Sequence, residues 1–387
     1  MHHETDRQRL TPMSQTELLA LDNVCPSEGS RPFGKVTPSS RSFWLDTGRH
    51  GDDDVKLTRS TLAEGAFELI TGATINYGLP LRSLIRGETV AVTRERVRRS
   101  NSVDSYVPPG FPVEYHPKIA SAVKRKVGQL AGGGTMLLSD EPHSTIFNGE
   151  SRQFVYPDAY PYSAICKLHV ESQDKPGGAW GARTHATGFL VGRRTLMTSG
   201  HAHPNTAAHA WRIEVIPACW GGRSVFGMGY VTYVRSGRWW HSDGGNDFLV
   251  GELYDPIGDD LGYFGATTYD SGWEDEPYWT MCGYPYDRSL WAPSRQTGIS
   301  VRDDDDGDDI TLDGRDYDTT QVESDADEAS GASGSPLFAW FDGDPKAIGV
   351  HSGVQRDATL NGDETLACAS GGDGFVEVIR WARGQWG

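Results

Sequence analysis

The feature that most constrains the fold is a succession of short apolar runs in the second part of the chain. From about Phe154 onward these runs are separated by turn residues at intervals of roughly 8 to 12 residues, a pattern typical of a β-sandwich or barrel. The chain is also rich in glycine, with 47 of 387 residues, and glycine suits the turns between short strands. The strands expected from this pattern are 163–170, 187–191, 195–199, 211–216, 230–234, 248–253, 278–282, 336–341 and 347–351.

The first third of the chain has a different texture, mostly irregular with two helical patterns. Residues 14–21 have capping-box spacing between Ser14 and Glu17, ahead of three leucines. Residues 116–130 place apolar side chains on one face and end before three glycines, which predicts a longer helix. Residues 94–99 contain four arginines and predict a solvated linker. A further amphipathic helix is expected at the C-terminus, from the spacing of Phe375, Val378, Ile379, Ala382 and Trp386.

Composition excludes several classes of protein. Asp and Glu number 53 against 36 Lys and Arg, a net charge of -17, so nucleic acid and anionic membrane surfaces are not expected as partners. No apolar run approaches the ~18 residues of a membrane span. The five cysteines are widely spaced and include no C-x-x-C pair, which leaves one or two disulfides open. The N-terminus has no secretory signal pattern.

The most specific local motif is the hexapeptide 331–336, Gly-Ala-Ser-Gly-Ser-Pro, which is followed by an apolar strand. Small neighbours allow the hydroxyl of Ser333 to be exposed on a tight turn. Gly331 lets the backbone bend so that two N–H groups, those of Gly331 and Ser333, point to one spot and form an oxyanion hole. An ordinary Gly/Ser turn is the alternative reading of the hexapeptide alone.

Two other segments favour catalysis. His201 follows the predicted strand 195–199 on a turn, and Asp247 stands at the start of the apolar strand 248–253. At such a strand end a carboxylate is desolvated and can accept an imidazole N–H. Asp243 is the rival carboxylate, and His201 could alternatively be a structural histidine.

With these three motifs in the order His, Asp, Ser, separated by 46 and 86 residues, the chain resembles the chymotrypsin-like serine proteases, and most closely their glutamyl endopeptidase branch. The likeness covers about residues 144–387. It includes the segments 159–165, 262–265, 282–285 and 347–353, which occur in the family's order. It implies an all-β fold of two six-stranded antiparallel barrels with a C-terminal helix. A partly helical, partly irregular N-terminal segment precedes them.

The resemblance carries over to individual residues. Ser333 corresponds to the nucleophile, His201 to the general base and acid, and Asp247 to the carboxylate that fixes the histidine tautomer. The N–H groups of Gly331 and Ser333 correspond to the oxyanion hole. The reaction implied is hydrolysis of peptide bonds through an acyl-enzyme, with polypeptides as substrates, a monomeric enzyme, and no metal or organic cofactor.

The resemblance gives two conflicting indications of substrate preference. His351, with Ser352 and Gly353, matches the segment that binds a substrate glutamate in the glutamyl branch. Asp327 and Glu328 stand instead where that branch has neutral residues, and Asp327 matches the carboxylate that selects Arg or Lys in trypsin-like enzymes. A solvated loop over residues 317–328 would remove these acids from the pocket, so we expect a Glu or Asp preference, with Arg or Lys as the alternative.

Activation is inferred from the residue before the nucleophile. Pancreatic-type zymogens place there an aspartate that pairs with a freed N-terminus, but this chain has Ala332. The family's other route is an N-terminal propeptide, so residues 1–143 are interpreted as a propeptide-like segment and 144–387 as the protease domain, with the junction near 138–148. The resemblance implies a secreted zymogen.

Other readings remain open. The acidic run 303–309 predicts a solvated hairpin tip, with calcium binding as the alternative. His201, His203 and His209 could be drawn as a zinc site, which would make the protein a metal-dependent hydrolase. A non-catalytic protease homologue that binds peptides or proteins through the same cleft is the rival from another class.

Overall fold

The structure is a computed structural model that describes residues 11–24, 42–50, 54–61, 79–80, 84–86, 102–115, 144–146, 150–176, 178–204, 208, 210–359 and 362–387. The helix expected at 116–130, the arginine-rich linker and most of the expected propeptide junction lie outside these residues. Cys25 and His209 lie outside them as well.

The first barrel is a closed ring of six antiparallel strands. Its closure comes from the strand Ala210–Pro217, which pairs on one side with Ile165–Gln173 and on the other with Thr232–Trp240. Two short N-terminal strands, Leu79–Pro80 and Leu84–Arg86, extend the sheet at Ala210–Trp211 and Gly237–Trp239. The six strands of the ring are Ile165–Gln173, Thr184–Gly192, Thr195–Thr198, Ala210–Pro217, Thr232–Trp240 and Phe248–Leu253.

The second barrel is built from antiparallel strands of more unequal length. Ser300 alone separates Ser294–Ile299 from Val301–Leu312, so the two act as one long strand. The first part pairs with Trp279–Gly283 and the second with Arg315–Ser324, which brings the sheet back on itself. Its strands are Trp279–Gly283, Ser294–Ile299, Val301–Leu312, Arg315–Ser324, Pro336–Phe341, Asp344–Thr359 and Gly362–Gly371. The expected all-β class, with antiparallel barrels and a C-terminal helix, is confirmed.

Shorter elements connect or cover the barrels. The remaining strands are Ser42–His50, Asp54–Thr61, Ser102–Val103, Ser144–Thr145, Gln153–Phe154, Cys219–Trp220, Arg223–Ser224, Gly265–Thr267 and Glu328–Ala329. The α-helices are Gln15–Val24, Gly258–Leu261 and Gly372–Trp386, and the 3₁₀-helices are Tyr162–Ala164, Gly200–Ala202, Met228–Tyr230 and Ser271–Trp273.

Both described helices that the sequence predicts are confirmed. The N-terminal helix Gln15–Val24 begins at a capping box: the Ser14 backbone N–H donates to Glu17 Oε2 (2.7 Å), and the Glu17 N–H donates to Ser14 Oγ (3.3 Å). The Ser14 N–H and hydroxyl both donate to Glu17 Oε2, and these two bonds lower the pKa of Glu17. The C-terminal helix Gly372–Trp386 buries the predicted apolar face in the core that spans both barrels.

The prediction for the acidic run 303–309 is wrong in its placement. These residues lie within the strand Val301–Leu312, and the hairpin turns beyond them, at Asp313 and Gly314, which have positive φ. Most of the acidic side chains are exposed, as expected. Partial burial together with Asp303, Asp305 and Asp306 raises the pKa of Asp304, because like charges crowded together disfavour ionisation.

The described cysteines, Cys166, Cys219, Cys282 and Cys368, are all buried free thiols. The disulfides that the sequence left open are therefore absent among these four. In the parts of the chain covered by the structure, no helix combines the length and apolarity that crossing a membrane requires.

Lys167 is a buried charge that predicts a pH-dependent stability. Its side chain is 0% exposed, and burial lowers the pKa of Lys167 from 10.5 to about 7, an effect that Cys219 partly offsets. Above pH 7 the folded protein then binds fewer protons than the unfolded chain, so the unfolding free energy rises with pH. We expect a slope of up to about 1.4 kcal/mol per pH unit between pH 7 and 8.5.

The measurement is chemical denaturation at several pH values, with Lys167→Met as the comparison. Methionine has a similar length and no charge, so the variant should lack this slope while other titrating groups cancel in the difference. Parallel pH profiles of the two proteins would contradict the assignment of a depressed lysine pKa.

Candidate active site

His201 stands just after a strand of the first barrel. The strand Thr195–Thr198 ends, and a single turn of 3₁₀-helix, Gly200–Ala202, carries the imidazole, whose side chain is 35% exposed. A Cβ atom at Gly200 would lie 1.9 Å from the carbonyl oxygen of Trp240. Only glycine therefore allows the close approach that places His201 beside the neighbouring strand.

Asp247 lies at the start of the strand Phe248–Leu253, as the sequence predicts, with only 4% of its side chain exposed. Its Oδ2 is 2.6 Å from His201 Nδ1, and its Oδ1 accepts the backbone N–H of His201 at 2.6 Å. The rival Asp243 is occupied elsewhere, since its Oδ1 accepts two backbone N–H groups within its own turn.

This contact determines what the imidazole can do. A neutral histidine that donates from Nδ1 keeps its lone pair on Nε2, the form required to accept a proton from an alcohol. The carboxylate holds the ring in one orientation and stabilises the imidazolium that forms when the proton arrives.

Two residues that sequence reasoning missed support the aspartate. His241 Nδ1 is 2.9 Å from Asp247 Oδ1, and the Asp247 backbone N–H donates to Ser370 Oγ at 3.1 Å. Ser370 Oγ donates in turn to the Gly244 carbonyl at 2.7 Å. His241 follows the end of a first-barrel strand, and Ser370 lies on a strand of the second barrel. Both are distant in sequence from the predicted motifs or outside them, so no local pattern pointed to either.

Ser333 lies on a loop whose shape depends on two glycines. Gly331 and Gly334 have φ values of +93° and +90°, a region that side chains with a Cβ rarely adopt. At Gly334 a Cβ would also lie 1.9 Å from the Thr187 carbonyl oxygen. The loop is therefore built for glycine on both sides of the serine.

Thr187 of the first barrel fixes this loop and was not singled out from the sequence. Its backbone N–H donates to the Ser333 carbonyl at 2.9 Å, and its hydroxyl donates to the Gly331 carbonyl at 2.8 Å. The same hydroxyl accepts the backbone N–H of Tyr284 at 2.9 Å. The turn around the serine is thus held by hydrogen bonds from across the two barrels.

The backbone N–H groups of Gly331 and Ser333 make no hydrogen bond within the part of the chain that the structure describes. The other N–H groups of the loop are used: Ala332 donates to Ala329 O, Gly334 to His351 O and Ser335 to Ala332 O, all at 2.8 to 2.9 Å. The loop thus keeps two backbone donors without an acceptor, as the expected oxyanion hole requires.

Ser333 and His201 line one cleft of about 520 Å³. Among the described residues no hydrogen bond joins Ser333 Oγ to the imidazole; such bonds are often long without substrate and shorten when it binds. The rest of the lining comes mostly from the strand ends around Glu171, Asp174 and His185 of the first barrel. Burial, and positive charge from Lys167 and other neighbours, lower the pKa of His185 to about 3, so its imidazole enters the cleft uncharged.

The residues assigned to substrate preference lie apart from this cleft, beside the nucleophile loop. His351 is buried, and its Nε2 is 3.4 Å from Glu328 Oε2, a carboxylate that is itself buried. Asp327 is fully buried and accepts from both the backbone N–H (3.1 Å) and the hydroxyl (2.9 Å) of Ser151. The solvated loop expected at 317–328 is wrong, because Arg315–Ser324 is a strand and both acids stay inside.

The remaining assigned residues occupy the same strand as His351. Ser352 Oγ donates to the Cys368 carbonyl at 3.2 Å, and Gly353 faces open space. Of the three histidines of the zinc alternative, His201 and His203 use Nδ1 for contacts to Asp247 and, at 2.8 Å, to the Pro204 carbonyl, and His209 lies outside the described residues. No group of three possible metal ligands occurs among the described residues.

The chain is similar to known proteins over part of its length. The chain is 28% identical over 203 residues to a protein named glutamyl endopeptidase from Bacillus licheniformis, an alignment that covers 50% of this chain. The predicted resemblance to the glutamyl endopeptidases is confirmed. The chain spans about half the length of this curated relative, 54%. No protein-family model matches.

Two solved structures are also similar. One, a Glu endopeptidase in complex with MPD, aligns with a TM-score of 0.45 and 20% identity, covering 62% of this chain and all of the other. The second, a protease from M. tuberculosis in its active form, aligns with a TM-score of 0.33 and 16% identity, covering 57% and 80% of the two chains.

Proposed function

We propose that the protein is a serine endopeptidase that hydrolyses peptide bonds through an acyl-enzyme. The observation that carries the proposal is the arrangement in one cleft of Ser333 with a His201 imidazole held 2.6 Å from a buried Asp247 carboxylate. Such an arrangement activates an alcohol as nucleophile.

In the proposed reaction, Ser333 Oγ attacks the scissile carbonyl carbon while its proton moves to His201 Nε2. The carbonyl oxygen becomes an oxyanion, which accepts hydrogen bonds from the N–H groups of Gly331 and Ser333. The carbon–nitrogen bond then breaks as His201 gives the proton to the leaving amine. Water, activated by the same imidazole, attacks the ester and releases the acid product.

The proposal extends to the setting of the enzyme. Polypeptides are the substrates, the protein acts as a monomer outside the cell, and catalysis needs no metal or organic cofactor. A second candidate is a non-catalytic homologue that binds peptides through the same cleft; this role does not require the Ser333–His201 hydrogen bond, which is absent among the described residues.

Cleavage-site profiling on a peptide library separates these candidates. An endopeptidase produces new termini at a defined residue, and replacement of Ser333 prevents them. A folded protein that binds library peptides and cleaves none would instead establish the binding module.

For substrate preference, we propose cleavage after glutamate, supported by the relative's name and by the place of His351 beside the nucleophile loop. A preference for Lys or Arg is the second candidate, favoured by the Glu328 carboxylate 3.4 Å from His351 Nε2. That carboxylate competes with an acidic substrate for the imidazole and attracts a basic one.

Glu328→Gln tests this contact. Removing one buried negative charge should raise the ratio of cleavage after Glu to cleavage after Lys by about tenfold or more, since hydrogen bonds to charged groups contribute about 1.5 to 3 kcal/mol. The profile is measured on the same peptide library. Asp325→Asn is the matched control, because Asp325 pairs with Arg302 at 2.6 Å, an exposed arginine. An unchanged ratio in Glu328→Gln would show that Glu328 does not contribute to the substrate preference.

A further inference from the structure

The N-terminal third of the chain contains a segment, residues 102–115, that lies along the body formed by the barrels; we call it the strap. The sequence alone places it in a removable propeptide. We propose instead that the strap is a permanent part of the folded protein, which stays bound after the backbone is cut between it and the barrels. This inference does not depend on the proposed function.

The first half of the strap is joined to the barrels by backbone hydrogen bonds. Its strand Ser102–Val103 pairs antiparallel with Gly265–Thr267, which itself pairs with the second barrel at Lys346 and Ala347. The Tyr106 N–H donates to the Tyr263 carbonyl at 2.9 Å, and the Tyr263 N–H donates to the Tyr106 carbonyl at 3.0 Å. The strap is thus a continuation of the second sheet.

The other half of the strap binds near the start of the first barrel. The Tyr160 N–H donates to the Pro112 carbonyl at 2.8 Å, and the Glu114 N–H donates to the Tyr160 carbonyl at 2.9 Å. The ring of Tyr115 packs against Trp340 with centroids 4.5 Å apart. Both ends of the strap are therefore anchored, on different parts of the protein.

Charge also ties the strap to the protein. Lys346, whose side chain is only 3% exposed, lies 2.8 Å from Asp104 Oδ1 and 3.2 Å from the Val103 carbonyl. Arg383 of the C-terminal helix donates to the Asp104 carbonyl at 2.8 Å. Loss of the strap would remove the Asp104 and Val103 oxygens from the buried ammonium group of Lys346 and leave Asp344 as its remaining ion-pair partner, and weaker compensation of a buried charge is costly.

The strap contributes apolar side chains to the core that spans both barrels; these are Val103, Val107, Phe111, Val113 and Tyr115. A cut between the strap and the barrels would leave the helix Gln15–Val24 on the same fragment as the strap. Its Leu18 is 2% exposed within that core, and the Met13 N–H donates to the Trp340 carbonyl at 2.7 Å. The hydrophobic effect thus favours retention of this N-terminal part.

Retention is compatible with an open cleft. The lining of the cleft that holds Ser333 and His201 includes no residue of the strap or of the helix Gln15–Val24, among the residues that the structure describes. The strap supports the barrels from outside the cleft and does not need to leave for a peptide to enter.

The test cuts the backbone at a chosen place. A recognition sequence for a site-specific viral protease, flanked by Gly and Ser, is inserted between Gly132 and Gly133 in a Ser333→Ala background, which prevents self-cleavage. After complete cutting, verified on a denaturing gel, the protein is run on a native size-exclusion column. We expect both fragments to co-elute at the volume of the uncut protein and to separate only in denaturant.

A pair of variants tests the assigned contact. Tyr106→Pro removes the N–H that binds the Tyr263 carbonyl and should raise the dissociation constant of the cut fragment about tenfold or more. Tyr106→Phe keeps that N–H and the ring and should behave like the parent. Elution of the N-terminal fragment alone, with the barrels still folded by circular dichroism, would overturn the inference.

Discussion

Replacement of Ser333 by alanine is expected to abolish labelling by a fluorophosphonate probe and to lower peptide cleavage by about 10⁵- to 10⁶-fold. The probe reacts only with an alcohol activated by a neighbouring base. Alanine removes that oxygen and leaves the loop intact, because the hydrogen bonds from the Thr187 N–H and hydroxyl to the loop carbonyls do not involve the serine side chain.

Ser330→Ala is the matched control, since Ser330 lies three residues earlier in the same segment and its carbonyl, which accepts the Tyr286 N–H at 2.7 Å, is unaffected by the change. It should label and cleave like the parent. Labelling that survives in Ser333→Ala, or that disappears in Ser330→Ala, would contradict the assignment of the nucleophile. A folded parent that takes up no probe would favour the non-catalytic alternative.

Asp247→Asn is expected to lower kcat by about 10⁴-fold with little change in the fold. The carboxylate accepts from His201 N and His201 Nδ1 with one oxygen each, whereas an amide has only one acceptor oxygen and would present an N–H to one of these donors. The imidazole would then take the tautomer that has no lone pair facing the serine. Steady-state kinetics and the melting temperature are measured together.

The comparison variant is Asp243→Asn, the same chemical change at the carboxylate that sequence reasoning left as a rival. Asp243 accepts backbone N–H groups of its own turn and of Asp308, so we expect a loss of less than about tenfold in kcat, since weakening these contacts does not remove the base. A larger loss in Asp243→Asn than in Asp247→Asn would reverse the assignment.

Much of the fold follows from local pattern. Apolar runs bounded by turn residues predicted strands close to those observed, and 248–253 and 336–341 match the observed strands at both ends. Fewer strands of the second barrel were predicted. Val301–Leu312 and Arg315–Ser324 were missed because they carry exposed acidic residues. Cross-strand hydrogen bonds hold them in place, and these leave no apolar signature in the sequence.

In the candidate site, too, residues with a local sequence pattern were predicted and residues that act through long-range contacts were not. His201, Asp247 and Ser333 were proposed as a triad from the sequence because each lies at a strand end or tight turn with a local signature. Thr187, His241 and Ser370 were missed because they act through contacts between segments distant in the chain. The contact between Glu328 and His351 could not be predicted either, since it depends on which acids stay buried.

The position of Thr187 has a consequence for how the two halves of the molecule cooperate. A single first-barrel residue holds the Ser333 turn at two carbonyls and contacts Tyr284 of the second barrel. Because hydrogen bonds weaken steeply with small displacements, a slight slip between the halves distorts the turn while each half keeps its own fold. If the proposed function holds, activity depends on how the two barrels are aligned, and a small molecule that separates them would inhibit the protein without binding in the cleft.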